Sequence, residues 1–396
     1  MDFTWRQHKR IDEIKRTDFD ALISPDPNFQ TPFLSFEFLH ALEVSNSVGP
    51  EHTGWFPNHI AIYDDEQLIA FIPAYKKSHS YGEYIFDHSW ANAYHQHGYP
   101  YYPKLVIGIP FTPVTGNRFL VASKDLADKV QHFLSQNIAL ITQAAESSTC
   151  HVLFPNRDAS ENLKEQQILQ RLSVQFIWQN NNYSDYSGFI DSLTSRRRRS
   201  IRKERANIEK QNVTVKRLTG YELTPEVQAA FYECYQETYL KRSGHTGYLT
   251  EAFFEQIFLT MNNNIMIVAA YEDEQIIASS LFFYNDQQLF GRYWGALTDV
   301  SGLHFECCYY QGIEFAIEQN IQTFNPGTQG EHKILRGFSP TLCYSNHYIA
   351  HPEFNKAIKH FLDEEAQGIT AYKERASTVL PYKQDKQELK LEKTDL

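Results

Sequence analysis

The chain has 396 residues, 42% of them hydrophobic and 14% aromatic, including 28 Phe and 24 Tyr; a chain so rich in apolar side chains fills sizeable cores, which excludes wholesale disorder and fibrous repeats. Lys+Arg 37 against Asp+Glu 48 leaves a net charge of −11, which argues against a surface given over to nucleic acid or to an anionic membrane. The length suggests two or three domains.

The N-terminal text MDFTWRQHKRIDEIKRTDFDAL contains no apolar run of signal-peptide length. No stretch reaches the roughly 18–20 apolar residues of a membrane helix. In chain order, SFEFLHALE (35–43) places apolar residues at helical spacing, HIAIY and LIAFIPAY flank the acidic turn DDEQ as a hairpin, and FDHSWANA (86–93) reads as an aromatic strand. DLADKVQHFLSQNI (125–138) then reads as a helix and HVLF (151–154) as a short strand. The segment 156–200 is polar and separates two halves.

The second half follows the same order. EAFFEQIF (251–258) is helical, IMIVAAY and IIASSLFFY flank the turn EDEQ, GRYWGAL (291–297) is an aromatic strand, HFECCYYQGIEFAIEQN (304–320) a helix and IQTF (321–324) a strand. AIYDDEQLIA (61–70) aligns without gaps on AAYEDEQIIA (269–278), with seven of ten positions identical at an offset of 208 residues. That is an internal duplication. Each half is expected to be an antiparallel sheet ending in a β–α–β crossover, with domains at 1–185 and 186–372 and a charged tail, frayed or loose, at 373–396.

One strip breaks the acidic background. Residues 196–205 (RRRRSIRKER) hold seven basic side chains and one Glu, net +6, so the remainder of the chain carries −17. The strip reads as a helix on which Arg198, Arg202 and Arg205 share a face suited to phosphates. The stretch GTQGEHKILRGF (327–338) follows a strand, and its glycines let backbone amides approach an anion. The five cysteines, at 150, 234, 307, 308 and 343, show no CxxC spacing, and a reducing, cytoplasmic setting is expected. His95/His97 and His347/His351 have permissible metal spacing. The first pair lies in a Tyr/Gly/Pro loop and the second runs into Pro352, so no metal is expected.

The doubled order of elements resembles the Fem-type (FemAB-like) acyltransferases, built from two tandem GNAT (N-acetyltransferase) folds. The stretches that carry the resemblance are TPFLSFEFL (31–39), KSHSYGEYIFDHSWANAY (77–94), YYPKLVIGIPFTPVTGNRFL (101–120), the basic strip, GRYWGAL, LHFECCYYQGIEFAI (303–317) and GTQGEHKILRGF. The resemblance implies an α/β (α+β) fold of two tandem GNAT-like units. It implies an N-acyltransferase that joins an acyl or aminoacyl donor to an amine without a covalent enzyme intermediate. Its co-substrate would be acyl-CoA or aminoacyl-tRNA, with no tightly bound cofactor, and its acceptor a small molecule or cell-wall precursor; DNA is not expected as a partner. Gly330, Arg336, Gly337 and Phe338 match the family pattern, while Glu331 and His332 replace its Leu-Tyr. The acetyl-CoA signature Gln/Arg-x-x-Gly-x-Gly/Ala is missing from both halves.

The resemblance implies that backbone amides where two strands splay supply the oxyanion contact, so that a base but no covalent nucleophile is needed, and the sequence agrees in having no GxSxG elbow. The base candidates are Glu306 and His304, Glu331 and His332, and Asp87 with His88. Candidates for holding substrate are Lys104, Arg118, Arg198, Arg202, Tyr239, Arg242, Arg292, Trp294, Lys333 and Arg336. Two other readings stand beside this one: an acyl-CoA-dependent N-acyltransferase of secondary metabolism, and a non-catalytic module that binds RNA or an anionic partner through the basic helix.

Overall fold

The computed structural model describes residues 3–26, 30–328 and 330–383. Its strands are β1 (Phe3–His8), β2 (Trp55–Pro57), β3 (His59–Asp64), β4 (Gln67–Ile72), β5 (Ala74–Lys77), β6 (Lys104–Ile107), β7 (Thr149–Leu153) and β8 (Leu169–Gln179). The second half adds β9 (Thr214–Thr219), β10 (Ile265–Glu272), β11 (Gln275–Tyr284), β12 (Gln288–Ala296), β13 (Thr323–Asn325) and β14 (Ser339–Ile349). Among the described residues, β1, β3 and β4 form a three-stranded sheet, and an eleven-stranded sheet runs β2-β5-β6-β7-β14-β8-β13-β12-β11-β10-β9.

The duplication is visible in backbone detail. The β3–β4 and β10–β11 hairpins turn through Asp65 (φ +52°) and Asp273 (φ +47°), and both slip register at the same place, after Ile62 and after Ala270. Asp tolerates the left-handed region because its short side chain bonds locally. Each half then makes a parallel crossover, β6 to β7 through helix Lys124–Ala144 and β12 to β13 through the helical run 303–318. These are the two tandem GNAT-like folds expected.

Three details differ from the sequence reading. Residues 86–93 are not a strand: helix His88–Gln96 buries Trp90 and Tyr94, four residues apart, with Tyr94 stacked on Phe354 at 3.9 Å. The aromatic spacing there has a helical period, and β6 takes the strand's place. The 156–200 segment does more than separate the halves, because β8 lies at the centre of the large sheet. β8 follows the first crossover yet pairs with β13 of the second, while β14 follows the second and pairs with β7 of the first. β8 and β14 pair with each other from Ser339↔Ile177 to His347↔Leu169. The two units are thus locked by exchanged last strands. Finally, residues 373–377 belong to helix Pro352–Ser377, and Tyr382 donates to the Gly337 carbonyl at 2.6 Å. The rest of the expected charged tail, from 384, lies outside the described residues.

The halves also share a core. Phe33 and Phe38, beside the first hairpin, pack edge-on against Phe283 and Phe290 at 5.1–5.6 Å. Helix Pro225–Ser243 lies across β12 so closely that a Cβ on Gly295 would stand 1.7 Å from the Cys234 carbonyl oxygen. Gly295→Ala should therefore destabilise the protein at the upper end of overpacking, about 3 kcal/mol, read as a lowered melting temperature. An unchanged melting temperature would show that the helix can step back.

Candidate functional site

β12 and β13 run side by side only from Gln288↔Thr323 to Phe290↔Asn325. Beyond that the strands part. β12 continues to Ala296, whereas the other chain turns away at Pro326–Gly327, with Gly327 at φ +95°. A bulge falls at the parting point: Leu281 faces Tyr293 and Phe282 faces Gly291, which leaves Arg292 as the extra residue. A bulge re-aims a side chain at a sheet's functional edge. A groove of ≈ 670 Å³ opens in this wedge, walled by β12, helix Pro225–Ser243 and the residues 326–328, 330, 332 and 333.

In the first half the equivalent strand is shorter, β6 ending at Ile107. Ile107 holds the position equivalent to Gly291. The chain then leaves as the loop 108–114, which reaches into the second half's groove. Phe111, at φ +55°, accepts a hydrogen bond from Arg292 Nη2 at 2.6 Å and stacks on Tyr248 at 5.0 Å. Pro113 and Tyr84 also line the groove from the first half, Tyr84 at φ +62°. Non-Gly residues held at positive φ cluster where structure is imposed for function. Tyr84 and Thr328 divide the groove from a second pocket of ≈ 260 Å³, whose charged groups, Arg171 and Glu365, are paired at 2.7 Å.

The groove is lined by Arg242, Arg292 and Lys333, by His304 and His332, and by no carboxylate among the described residues. Lys333 is buried with its Nζ donating to the Gly327 carbonyl at 2.7 Å. Burial, with the Arg292 charge nearby, lowers its pKa to about 7. Burial likewise lowers His304 to about 4, helped by the surrounding cations, so its imidazole is neutral. His332 is lowered by burial and by Arg336 and Lys333, and its Nε2 meets the Tyr309 hydroxyl at 2.8 Å. Arg292 Nε is buried and has no hydrogen-bond partner among the described residues.

Of the sequence candidates, Tyr239, Arg242, Arg292, Trp294, His332 and Lys333 come together in this groove, with His304. The others lie elsewhere. Glu306, in a π turn over Glu306–Tyr310, is buried against Arg205 (2.9 Å) and Gln311 (2.7 Å) and lines a separate pocket. Glu331 is exposed and accepts from the Tyr372 hydroxyl at 2.7 Å. Arg336 is sandwiched under the basic helix, 3.5 Å over the Phe305 ring and 2.8 Å from Glu204. Asp87 and Lys104 form a buried ion pair in the first half. Arg118 spends its guanidinium on the carbonyls of Val114, Asn117 and Leu153, and burial lowers its pKa to about 9. Arg198 and Arg202 face Asp191 at 4.0 Å, on helix Ser195–Glu209. The sequence reading passed over Thr238, Ser243, Tyr248 and Thr328 of the groove. The pair Gly244 and Gly247, both at positive φ, was the signal that this helix ends in a tight loop.

A family model described as peptidoglycan biosynthesis/recognition, FemAB-like, matches residues 10–384. Among solved structures, a crystal structure of FemX is similar over 91% of this chain and 100% of its own, at 12% identity and a TM-score of 0.53. A conserved protein of unknown function from Bacteroides thetaiotaomicron is similar over 87% of this chain and 99% of its own, at 12% identity and a TM-score of 0.50. At such identities these are likenesses of fold. A search of curated proteins gives no match.

Proposed function

The chain belongs to the FemAB-like family, and from that premise we propose that it is an N-acyltransferase that forms an amide between an acyl or aminoacyl donor and an amine. The observation that carries this reading is the wedge between β12 and β13, lined by three cations and no carboxylate among the described residues. Such a groove suits a donor with an anionic carrier, held by Arg242 and Arg292. The acceptor's body enters past Tyr84 and Thr328.

The amine's lone pair attacks the donor carbonyl carbon, and the C–N bond forms. Charge gathers on the carbonyl oxygen, where the Arg292 guanidinium, which lines the groove, supplies the positive charge that steadies it. The amine's surplus proton passes to Lys333 Nζ, whose pKa, lowered by burial to about 7, makes the unprotonated amine accessible near neutral pH. The bond from carbonyl carbon to the carrier's oxygen or sulfur then breaks, and the leaving group takes the proton back from Lys333. No covalent enzyme intermediate is needed.

Arg292→Met is expected to lower kcat by about 10²–10³-fold, the usual effect of removing one oxyanion donor, with the melting temperature preserved. Full activity in that variant would remove the site from this groove. The two donor classes separate in one assay: RNase abolishes transfer from an aminoacyl-tRNA, whereas transfer from an acyl-CoA releases free thiol without RNA. The RNA arm is worth running because Arg196, Arg199 and Lys203 share a face of helix Ser195–Glu209 and have no carboxylate partner among the described residues.

A further inference from the structure

A side pocket of ≈ 70 Å³ opens off the groove. Arg292, Tyr293, Trp294, His304 and Pro326 line both spaces and so form the passage between them. Beyond the passage the walls are Ser280, Phe282, Gly291 and Cys308.

These inner walls carry no charged side chain. Ser280 Oγ is spent on the Cys307 carbonyl at 3.0 Å. Burial drives the Cys308 thiol far above its ordinary pKa, so it is an apolar wall and not a nucleophile. At Gly291 a Cβ would stand 3.3 Å from the Phe282 ring and 3.4 Å from Pro326 Cα, so the absent side chain is part of what leaves the space open. The basic groups, Arg292 and His304, stay at the passage.

We propose that this side pocket seats the acyl group itself, with the carbonyl at the passage beside Arg292 and an uncharged tail inside, and that it limits the tail to about three heavy atoms. The limit follows from scale: a 150 Å³ apolar cavity accepts benzene's six heavy atoms, so ≈ 70 Å³ accepts about three. The inference rests on the acyl-transfer reading of the groove and adds the size and polarity of the group transferred. It makes Cys308 and Gly291 the residues that set chain length.

Straight-chain carboxylates test it without a donor being known, because their carboxylate mimics the acyl carbonyl under Arg292. Dissociation constants for acetate, propionate, butyrate, hexanoate and octanoate are measured by ligand-observed NMR on the full-length protein. Affinity is expected to rise about fourfold per methylene buried as far as butyrate, and to fall at hexanoate and octanoate. Cys308→Ala should move the optimum towards hexanoate, and Cys308→Leu should leave acetate as the best binder; Gly291→Ala gives the same shortening from the opposite wall. Melting curves confirm that each variant is folded, and the wild-type series stands by itself if one is not. Octanoate binding as tightly as butyrate to wild type, or one optimum shared by folded Cys308→Ala and Cys308→Leu, would overturn the proposal. A sharp cutoff in a protein that transfers no acyl group would sink the transferase reading alone; transfer without a cutoff would sink the size limit alone.

Discussion

Lys333→Met is expected to slow acyl transfer by about 10²–10⁴-fold, the range that general acid–base catalysis supplies, and to erase the pH dependence of the rate. In the wild type the active form is the unprotonated amine, so the rate should rise with pH through about 7 and then level off. The cause lies in the fold. Lys333 is buried beside Arg292 without a carboxylate partner, and its anchor is the Gly327 carbonyl. Arg at this position keeps a cation but cannot give up its proton, so Lys333→Arg should be slow at every pH. If Lys333 only held an anion, Lys333→Arg would retain most of the activity, and the rate would fall with rising pH as the charge is lost. A pH–rate profile of kcat in the three proteins decides between the two roles.

Much of this architecture was legible in the sequence because duplication leaves a trace in places that backbone geometry constrains. The turn Asp65-Glu66 and its counterpart Asp273-Glu274 survive in both copies, and the two Asp residues share the left-handed turn position. The exchange of β8 and β14 left no such trace, since either strand would read the same beside its own half. The helix His88–Gln96 was missed for a related reason: FDHSWANA was matched to GRYWGAL by its tryptophan, yet Trp90 and Tyr94 keep helical spacing. Site residues were legible by type and less so by partner. Glu306 and Lys333 both sit near a predicted helix or loop start. Only the fold reveals that Arg205 from the basic helix neutralises the first, while nothing acidic in the groove reaches the second. A charge strip that suggested a ligand also supplies Glu204 and Arg205 as ion-pair partners for Arg336, Glu306 and Glu314.

The second large effect concerns the first half, where Lys104→Met should destabilise the protein by about 3–5 kcal/mol, the usual result of stranding buried charges. Lys104 Nζ donates to Ser80 Oγ at 2.8 Å, to Glu83 Oε2 at 2.7 Å and to Asp87, all of them buried. Lys104 touches both carboxylates, with Lys77 a second cation near Glu83, and the carboxylates part company. Burial works against an ionised Asp87, but Lys104 outweighs it and holds the group below the ordinary range. Glu83 loses the same contest: burial outweighs Lys104 and raises it to about 7, and its Oε1 has no partner among the described residues. The signs differ accordingly. Asp87 contributes stability above the ordinary carboxylate range, lost as pH falls through its depressed pKa. Glu83 contributes stability that is complete below about pH 4.5 and is lost as pH rises through about 7. Glu83→Gln should therefore be mild at neutral pH and should remove the decline in stability between about pH 5 and 8, whereas Asp87→Asn should cost nearly as much as Lys104→Met. Urea melts across that pH range measure all four proteins. Because the pinned loop 78–87 also carries Tyr84 into the groove, Lys104→Met should loosen ligand binding in the second half's groove, and a Glu83→Gln variant as unstable as Lys104→Met would show that the cluster does not share its charge in this way.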